Sequence, residues 1–374
     1  MTFRVVRKIH IQKSVRKTCN CPKTPTVKTA VAPPQLFPGG LFSTEFWQYV
    51  IFEKYHLQRP SNRTRMFLDS HGLDVSQGTI TNGLKRLHDK RIFKPLVESI
   101  RKRILRAKQL AMDETGWKIF QEIDGKKGYQ HWLWVKLAKD CALFTLDSSR
   151  SRKAAQRDLS GEPIVVTSDM HKAYLNLGDN VTNSWCWAHV RRYILKLQNR
   201  PSLKTSAKGW LERIDWIYHC NNQRLSASTE KEFKLHDRKL REAMAEFESL
   251  SLRSSKRSKN EEARKVFSMI VRHWDGLNLF VDRPSIPMDN NDSERALRNP
   301  VVGRKNYYGS GACWSGELAA DLFSIFTTLE MNSINPRTWL LEYLSAVASN
   351  GGQAPDDASS FLPWNTPPLH YLHS

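Results

Sequence analysis

Residues 163 to 169, PIVVTSD, form a short and nearly all-apolar run that ends in an acid. A strand with one face in water alternates apolar and polar residues, whereas a strand buried on both faces is apolar almost throughout. The run therefore predicts an inner strand of a sheet. Its last residue, Asp169, is expected at the end of that strand, where α/β proteins commonly place functional groups.

Further strands are predicted around this run, which makes the fold a mixed α/β sheet with flanking helices. The DGKKG segment, residues 124 to 128, predicts a hairpin loop between the first two strands, and Asp113 is expected to close the first. The other predicted elements are strands at residues 109 to 120, 129 to 138, 141 to 146 and 183 to 189, and a helix at residues 151 to 159.

Most of the remaining chain has helical periodicity. Residues 205 to 275 repeat apolar side chains at helical steps, and a basic loop at residues 252 to 260 is expected to interrupt them. A last helix, around residues 316 to 331, has a broad apolar face that predicts core packing. The repeating apolar residues of the first region are Phe233, Leu240, Met244, Phe247 and Leu250.

The N-terminal region predicts an extended basic arm, residues 1 to 30, followed by a Pro/Gly linker at residues 31 to 40. Within residues 65 to 87, Gly72 separates two short amphipathic segments, and Ser76 is a candidate N-cap for the second. This is a helix-turn-helix outline that could bind DNA. Two packed scaffold helices have the same sequence pattern and remain the alternative.

Basic residues exceed acidic residues by 58 to 37, which gives a formal net charge of +21. Such an excess most often indicates a polyanionic partner such as nucleic acid. The excess is concentrated: residues 1 to 30 hold eight Lys or Arg and no acid, and residues 85 to 108 hold ten against two acids. Solvated faces or tails are the alternative.

The six cysteines are expected to be reduced thiols, because they lie far apart in a chain without an export signal. Cys19 and Cys21 alone cannot supply the four ligands of a structural zinc site. No apolar run approaches the length of a membrane span, so we expect a cytoplasmic location.

Residues 288 to 311, MDNNDSERALRNPVVGRKNYYGSG, crowd acids and amides ahead of several bases. One interpretation is a capped surface helix in which Glu294 and Arg298 form an ordinary i,i+4 pair. The other is a site in which Glu294 shares a metal with bound DNA phosphates. The bases that would hold those phosphates are Arg295, Arg298, Arg304 and Lys305.

Three acids, Asp113, Asp169 and Glu294, come from the first strand, the fourth strand and a late helix. A site that moves phosphodiester bonds with two divalent ions needs several oxygen donors close together. Successive side chains of a strand point to opposite faces, so only one of Asp113 and Glu114 can join Asp169. This order of acids is that of a ribonuclease-H-like nucleotidyl transferase, whereas any one of them alone could be a cap or a surface charge.

Several motifs together resemble the DDE transposases of insertion sequence family sixty-six, from about residue 40 to residue 364. The resemblance implies that Asp113, Asp169 and Glu294 are the catalytic, metal-binding triad of a ribonuclease-H-like core, with a helical insertion before the Glu. The motifs are AMDETGW, VTSDMHKAY, CWAHVRRYILK, MDNNDSERALRNPVVGRKNYYGSG, INPRTWLLEYL and FLPW.

The resemblance also implies cofactors, partners and a division of the chain. It implies two Mg²⁺ ions, for which Mn²⁺ may substitute, DNA as element ends and target, a homodimer or larger assembly on DNA, accessory proteins of the same element, and a nucleoid-associated location in a bacterial cytoplasm. The predicted regions are the arm and linker (1–40), a helical region (41–107), the first part of the core (108–190), the insertion (191–285), the second part of the core (286–345) and a tail (346–374).

Cys186 and His189 match the family's Cys-x-x-His, and we assign them, with Asn290, to support of the site rather than to zinc binding. Arg191 and Arg192 are assigned to DNA binding. Core packing is the expected role for most of the tryptophans of this region, with base stacking as the alternative. Those tryptophans are Trp132, Trp134, Trp185 and Trp187.

Two features depart from the family pattern. Met170 follows Asp169 where the family usually has glycine, which tolerates more backbone shapes. Of the family's N-terminal paired-cysteine region only TCNCPKT, residues 18 to 24, has a counterpart. The alternative function is therefore a catalytically inactive or truncated DNA-binding remnant, and a nuclease that cuts without joining is a third.

Overall fold

The structure, a computed structural model, describes residues 5–6, 13–18, 22, 25–29, 33–122, 125, 128–159 and 161–365. Within these residues the chain forms 13 α-helices, a mixed sheet of six strands and a separate two-stranded sheet. The predicted mixed α/β class is confirmed. Among these residues no helix is both long and apolar enough to cross a membrane.

The secondary-structure elements are numbered in chain order. The strands are β1 (Ser14–Arg16), β2 (Val27–Thr29), β3 (Gln109–Ile119), β4 (Tyr129–Leu137), β5 (Ala142–Asp147), β6 (Ile164–Ser168), β7 (Val181–Trp185) and β8 (Gly309–Ser310). The helices are α1 (Thr44–Ile51), α2 (Ser61–Ser70), α3 (Gln77–Asp89), α4 (Lys94–Arg106), α5 (Arg152–Gln156), α6 (Trp187–Leu197), α7 (Lys204–Leu225), α8 (Glu230–Arg257), α9 (Glu261–Arg272), α10 (Trp274–Asp282), α11 (Asn291–Tyr307), α12 (Cys313–Met331) and α13 (Pro336–Ser349).

The large sheet has the strand order β5-β4-β3-β6-β7, and β8 pairs with β3. β6 runs parallel to β3 on one side and to β7 on the other, whereas β4 and β5 run antiparallel to each other. All five residues of β6 are buried. The predicted inner strand is therefore confirmed, as is the order of three strands, a helix and a buried strand.

The chain divides into two compact units. Unit 1 comprises Met1–Ser99, Ile119–Tyr129 and Asn299–Ser374, and unit 2 comprises Ile100–Lys118 and Gln130–Arg298. Unit 2 holds β5, β6, β7, most of β3 and β4, and the helices α5 to α10. The helical stretch between β7 and α11 thus belongs to the same unit as the sheet strands that precede it.

Aromatic side chains join the helices of unit 2. The ring of Trp210 on α7 lies 5.0 Å from Phe247 on α8 and 4.4 Å from Phe267 on α9, centroid to centroid. Trp187 on α6 lies 5.3 Å from Phe247. Aromatic contacts of this kind contribute beyond the area they bury, so these four rings form the centre of a helical core.

The prediction of a basic loop at residues 252 to 260 is wrong for most of its length. α8 continues to Arg257, and only residues 258 to 260 leave the helix before α9. Lys256 and Arg257 lie in the last turn of α8, where positive charge is favourable at the negative end of the helix dipole. Asn260 then caps α9 by accepting the backbone N–H of Ala263.

Two shorter predictions on the sheet side also need correction. The strand predicted at residues 183 to 189 ends at Trp185, and α6 begins at Trp187. The helix predicted at residues 151 to 159 is only α5, which ends at Gln156. Asp158 has a φ of 60°, a left-handed conformation that a helix cannot continue through.

In unit 1, α2 and α3 form the predicted pair of helices. Gly72, with a φ of 80°, makes the turn between them, and the Ser76 side chain accepts the N–H of Thr79 as the N-cap of α3. The N-cap prediction is confirmed. Whether this pair binds DNA stays a prediction.

The Pro/Gly stretch before α1 packs into unit 1 over its described part. Leu36 and Phe37 are buried, and the Phe37 ring contacts Trp47 edge-on at 5.0 Å. The Gly40 N–H donates to the Phe37 carbonyl, which closes a turn. The described part of the predicted Pro/Gly linker, residues 33 to 40, therefore forms a turn beside which apolar side chains pack.

α12 forms much of the core of unit 1, as the apolar face of the last predicted helix indicated. Leu318, Leu322 and Leu329 are fully buried. The four cysteines in the described part of the chain, Cys141, Cys186, Cys220 and Cys313, are free thiols as predicted. Cys19 and Cys21 lie outside the described residues.

Candidate functional site

The register of two parallel strands places Asp113 beside Asp169. Ala111 on β3 pairs with Thr167 on β6. Each aspartate lies two residues further along its own chain, so the two are neighbours across the sheet. Both belong to unit 2.

Asp169 directly follows the last residue of β6, as expected, but Asp113 does not close its strand. β3 continues to Ile119 because it also pairs with β4 on its other side. Asp113 therefore marks the point at which β6 ends beside β3, and not the end of β3 itself. The functional consequence is the same, because both carboxyl groups stand at the end of the parallel pair.

The alternation between Asp113 and Glu114 is confirmed. Glu114 is buried, and its carboxylate accepts hydrogen bonds from Arg150 and from the Tyr174 hydroxyl. Asp113 is half-buried, and its carboxylate accepts the Glu114 N–H at 2.8 Å. Only Asp113 is therefore available on the side of Asp169.

Asn290 joins β3 to the beginning of α6. Its side-chain amide donates to the Met112 carbonyl at 2.7 Å, and its backbone N–H donates to the Cys186 sulfur at 3.2 Å. Its own carbonyl accepts the Glu294 N–H in the first turn of α11. These bonds place the start of α11, and so Glu294, next to the strand that carries Asp113.

Asp289 precedes α11 in the sequence, but its side chain caps α6. Its carboxylate accepts the Ala188 N–H of α6 at 2.8 Å and the Tyr218 hydroxyl of α7 at 2.6 Å. Asn290 is 1% exposed and Ser293 is fully buried, whereas Asn291 and Asp292 are exposed, so the first turn of α11 has one packed side and one side in solvent. The choice between a capped surface helix and a site at Glu294 stays a prediction.

The pKa of Asp113 shows that the three predicted acids share one electrostatic neighbourhood. Burial, and after it the negative charges of Glu114, Asp169 and Glu294, together raise this pKa to about 8. The Glu114 N–H opposes the shift in part. A nearby cation would favour the ionised carboxylate and reverse these effects.

The three carboxyl groups do not form a closed set of ligands. In the residues that the structure describes, no group of three or more His, Cys, Asp or Glu side chains has the spacing of a metal site. The donor set itself, two aspartates and a glutamate, has the hard oxygen ligands that Mg²⁺ and Mn²⁺ prefer. Chemically, these residues therefore fit a divalent ion.

Glu294 is paired with residues of α6. Its Oε1 lies 3.5 Å from Nη2 of Arg192 and 3.7 Å from Nε2 of His189. Nη1 of Arg192 lies 3.1 Å from the same His189 nitrogen. Burial, followed by the charge of Arg192, lowers the pKa of His189, so the ring is favoured in its neutral form.

The other predicted DNA-binding residues lie along two helices. Arg191 forms an ion pair with Asp215 of α7 at 3.4 Å. Arg295 and Arg298 are exposed on the part of α11 that belongs to unit 2. Arg304, half-buried, and Lys305, exposed, lie on the part that belongs to unit 1.

Cys186 lies at the N-cap position of α6, one residue after β7 ends. Burial raises the pKa of its thiol to about 12, which disfavours the thiolate that zinc would need. Among the tryptophans, Trp134, Trp185 and Trp187 are buried, which confirms the packing prediction for them. Trp132 is half-buried beneath the Arg150 guanidinium, which lies 4.8 Å from the ring centroid.

The turn after Asp169 accommodates Met170. The Asp169 carboxylate accepts the His171 N–H at 3.0 Å, and the His171 ring caps a short 3₁₀ turn, Lys172–Tyr174. Met170 is buried and is not among the described residues with positive φ. A glycine is therefore not required at this position.

Sequence reasoning missed the partners that hold the site. Arg150 and Tyr174 bind Glu114 from 36 and 60 residues away, and Tyr218 binds Asp289 from 71 residues away. Tyr174 belongs to the VTSDMHKAY motif, which is a signal that could have identified it. Arg150 and Tyr218 have no comparable local pattern.

Comparison with known proteins places this chain in a family. The model described as "Transposase IS66 family" matches residues 39–318. Three curated relatives from Sinorhizobium fredii (strain NBRC 101917 / NGR234) are similar along most of the chain. They are uncharacterized protein y4hP (22% identical, covering 92% of this chain and 67% of the relative), y4jD (24%, 96% and 73%) and y4qI (23%, 91% and 66%).

Proposed function

Because this chain belongs to the IS66 transposase family, we propose that Asp113, Asp169 and Glu294 form a DDE site that cleaves and joins DNA strands. The family implies a DNA-binding and DNA-cleaving enzyme in general. The observation that carries the finer proposal is the register of β3 and β6, which makes Asp113 and Asp169 neighbours. The negative charge of Glu294 raises the pKa of Asp113, which supports Glu294 as the third acid of the site.

The proposal includes a sheet of the ribonuclease-H type. The order of three strands, a short helix and two further parallel strands supports this assignment, as does an acid at equivalent positions of the first and fourth strands. α6 to α10 would then be the family's helical insertion, and α11 would carry the glutamate.

The three carboxylates would hold two Mg²⁺ ions, or Mn²⁺, which when bound activate the attacking water or 3′-hydroxyl and neutralise the leaving oxygen. Asn290 and Asp289 hold the start of α11 and of α6 in place through their bonds to Met112 and Ala188. Arg192 orients the Glu294 carboxylate from the α6 side. Arg295 and Arg298 would bind DNA phosphates on the exposed face of α11.

Cleavage of a duplex that carries the DNA directly flanking the gene tests the proposal. We expect strand cleavage and joining in Mg²⁺ or Mn²⁺, and a loss of roughly 10³-fold in Asp113→Ala, Asp169→Ala or Glu294→Ala, because each removes positioned charge. Glu248→Ala, an exposed acid on α8, is the matched control and should retain activity. Undiminished cleavage by Asp113→Ala would contradict the proposal.

A catalytically inactive DNA-binding protein is the second candidate. The observation that favours it is the lack, in the described residues, of a preformed group of three metal-binding side chains. Such a protein would bind the same duplex and show no strand cleavage in either metal. Cleavage without joining would instead indicate a nuclease.

A further inference from the structure

An open cavity of about 600 Å³ lies beside the segment that follows Asp169. Its charged lining residues are Arg150, Arg152 and Lys172, and no acid is among the residues that line it. Its uncharged polar lining residues are Ser149, Ser151 and Asn176, of which the Ser149 hydroxyl donates to Asp147 and also bonds to the Ser151 hydroxyl. We refer to this cavity as the Arg150 pocket.

Arg150 is held in place by Glu114 and Trp132. Its Nε donates to the carboxylate of Glu114, whose side chain is 1% exposed, and its guanidinium lies over the Trp132 ring. The Arg150 side chain itself remains 36% exposed. Its two terminal nitrogens, which carry four of the five N–H donors of a guanidinium, bind no other residue that the structure describes.

The opposite wall of the pocket is fixed to the same carboxylate. The Tyr174 hydroxyl donates to Glu114, and Tyr174 ends the 3₁₀ turn that begins with Lys172. Lys172 and Arg152 are exposed, and their side chains form no hydrogen bond or ion pair within the described part of the chain. Glu114 therefore joins the two walls, and three cations with unused donors face the cavity.

The position of the pocket relates it to the carboxylate site. Glu114 is the residue after Asp113 on β3, and Lys172 is three residues after Asp169. The Lys172 wall thus follows β6, whereas the Arg150 wall follows β5 and is connected to β3 only through the bond to Glu114. Because Glu114 and Asp113 are successive residues of a strand, Arg150 lies on the other face of β3 from the Asp113 carboxylate.

We propose that the Arg150 pocket binds a backbone phosphate of the DNA on which this protein acts. This inference rests on the proposed function, because it takes DNA to be the bound polyanion. A phosphodiester matches a planar guanidinium with free terminal donors and a nearby ammonium. Phosphates repeat along DNA, so a bound polymer presents many of them to basic side chains on the surface of the protein.

The salt dependence of DNA binding tests the inference without catalysis. Binding of a short single-stranded oligonucleotide of arbitrary sequence is measured by fluorescence anisotropy in EDTA over a range of salt concentrations. Each phosphate contact to single-stranded DNA contributes about 0.7 to the slope of log K against log salt. We expect Arg150→Gln and Lys172→Gln each to weaken binding and to lower the magnitude of that slope by about 0.7.

Arg238→Gln and Lys239→Gln are the matched controls. Both residues are exposed on α8, far along the chain from the pocket, and they remove the same charges. We expect their slopes to equal that of the wild type. Equal slopes in the pocket variants and the controls would overturn the inference, as would equal losses in both pairs.

A free anion could occupy the same donors, so inorganic phosphate is a second arm. Thermal stabilisation of the wild type by phosphate that Arg150→Gln abolishes, together with an unchanged DNA slope, would assign the pocket to a free anion and overturn the inference.

The outcome is also separable from the proposed function. Loss of cleavage in Asp113→Ala with unchanged slopes in the pocket variants rejects the pocket alone, whereas altered slopes without any cleavage by the wild type reject the DDE proposal alone.

Discussion

The carboxyl group of Asp113 is surrounded by negative charge. Burial and the carboxylates of Glu114, Asp169 and Glu294 all raise its pKa. Such an arrangement is unfavourable for folding alone, and functional sites are where strongly shifted pKa values commonly occur. Glu114 differs from its neighbour because Arg150 and Tyr174 bind its carboxylate.

Lys136 is a second buried ionisable residue, on β4. It is 1% exposed, and its Nζ has no hydrogen-bond partner among the described residues. Burial lowers its pKa from 10.5 to about 8, and the nearby Asp158 opposes that shift only in part. At neutral pH the side chain therefore carries a charge that the fold disfavours.

We expect Lys136→Met to stabilise the protein at neutral pH by about 1–4 kcal/mol, since it removes a buried charge and keeps the volume. The native state binds fewer protons than the unfolded state between pH 8 and 10.5, so the contribution of Lys136 to stability rises with pH across that window. The variant should lose this rise. Urea unfolding at a series of pH values measures both effects.

Lys139→Met is the control for this prediction, because Lys139 is exposed in the turn after β4. Its free energy of unfolding should stay within about 0.5 kcal/mol of the wild type. A Lys136→Met protein that is less stable than the wild type at neutral pH would show that the ammonium has a stabilising partner.

At the scale of elements, α10 and α11 are positioned by contacts with the sheet strands, and α6 by contacts with the segment that precedes α11. Asp289 and Met288 bind the first N–H groups of α6, at Ala188 and Trp187. α10 lies so close to β7 that Gly276 leaves no space for a side chain. A Cβ at this position would stand 2.4 Å from the Trp185 ring and 2.7 Å from the Asn183 carbonyl oxygen.

We expect Gly276→Ala to destabilise unit 2 by about 1–3 kcal/mol, because a backbone oxygen in a sheet strand cannot move aside cheaply. Gly209→Ala on α7 is the matched control. Its Cβ would meet only an Arg213 nitrogen at 3.4 Å, so alanine should raise stability by about 0.5–1 kcal/mol through helix propensity. Chemical denaturation of the two variants measures the direction of both changes in the free energy of unfolding. Equal changes would refute the close approach of α10 to β7.

At the scale of the whole molecule, each unit is assembled from separate stretches of the chain. Unit 1 combines Met1–Ser99, Ile119–Tyr129 and Asn299–Ser374. The hydroxyl of Tyr343, on α13, donates to the Ile92 carbonyl, and the ring of Phe323, on α12, contacts Tyr55. The C-terminal helices therefore complete the core of the N-terminal helices.

We expect a fragment that ends at residue 99 not to fold, because α12 and α13 supply much of the apolar surface that its helices bury. The fragment should lack a cooperative thermal transition by circular dichroism. Addition of a second fragment, residues 299 to 365, should restore part of the helical signal. A cooperative transition in the first fragment alone would contradict this account of the core.

Local patterns predicted much of the sheet region correctly. The apolar run of β6, the alternation of Asp113 and Glu114 and the N-cap at Ser76 depend on near neighbours in the chain, which periodicity records. Four boundaries failed: the end of α5, the end of α8, the end of β7 and the position of Asp113 within β3. β3 continues past Asp113 because it also pairs with β4, and α5 cannot continue through the left-handed Asp158.

The candidate site divides in the same way. The sequence alone determined that Asp113, Asp169 and Glu294 come from two predicted strands and a late helix, and that the family's motifs surround them. It also determined the basic excess that indicates a polyanionic partner. These properties depend on residue type and spacing, so they can be read without coordinates.

Only the tertiary structure decided which side chains meet. It paired Glu294 with Arg192, used Asp289 to cap α6, bound Asn290 to the Met112 carbonyl and joined both walls of the Arg150 pocket through Glu114. The partners in these contacts are separated by 36 to 178 residues. No local period encodes a contact over such a separation, because it depends on the packing of whole elements rather than on the order of neighbouring residues.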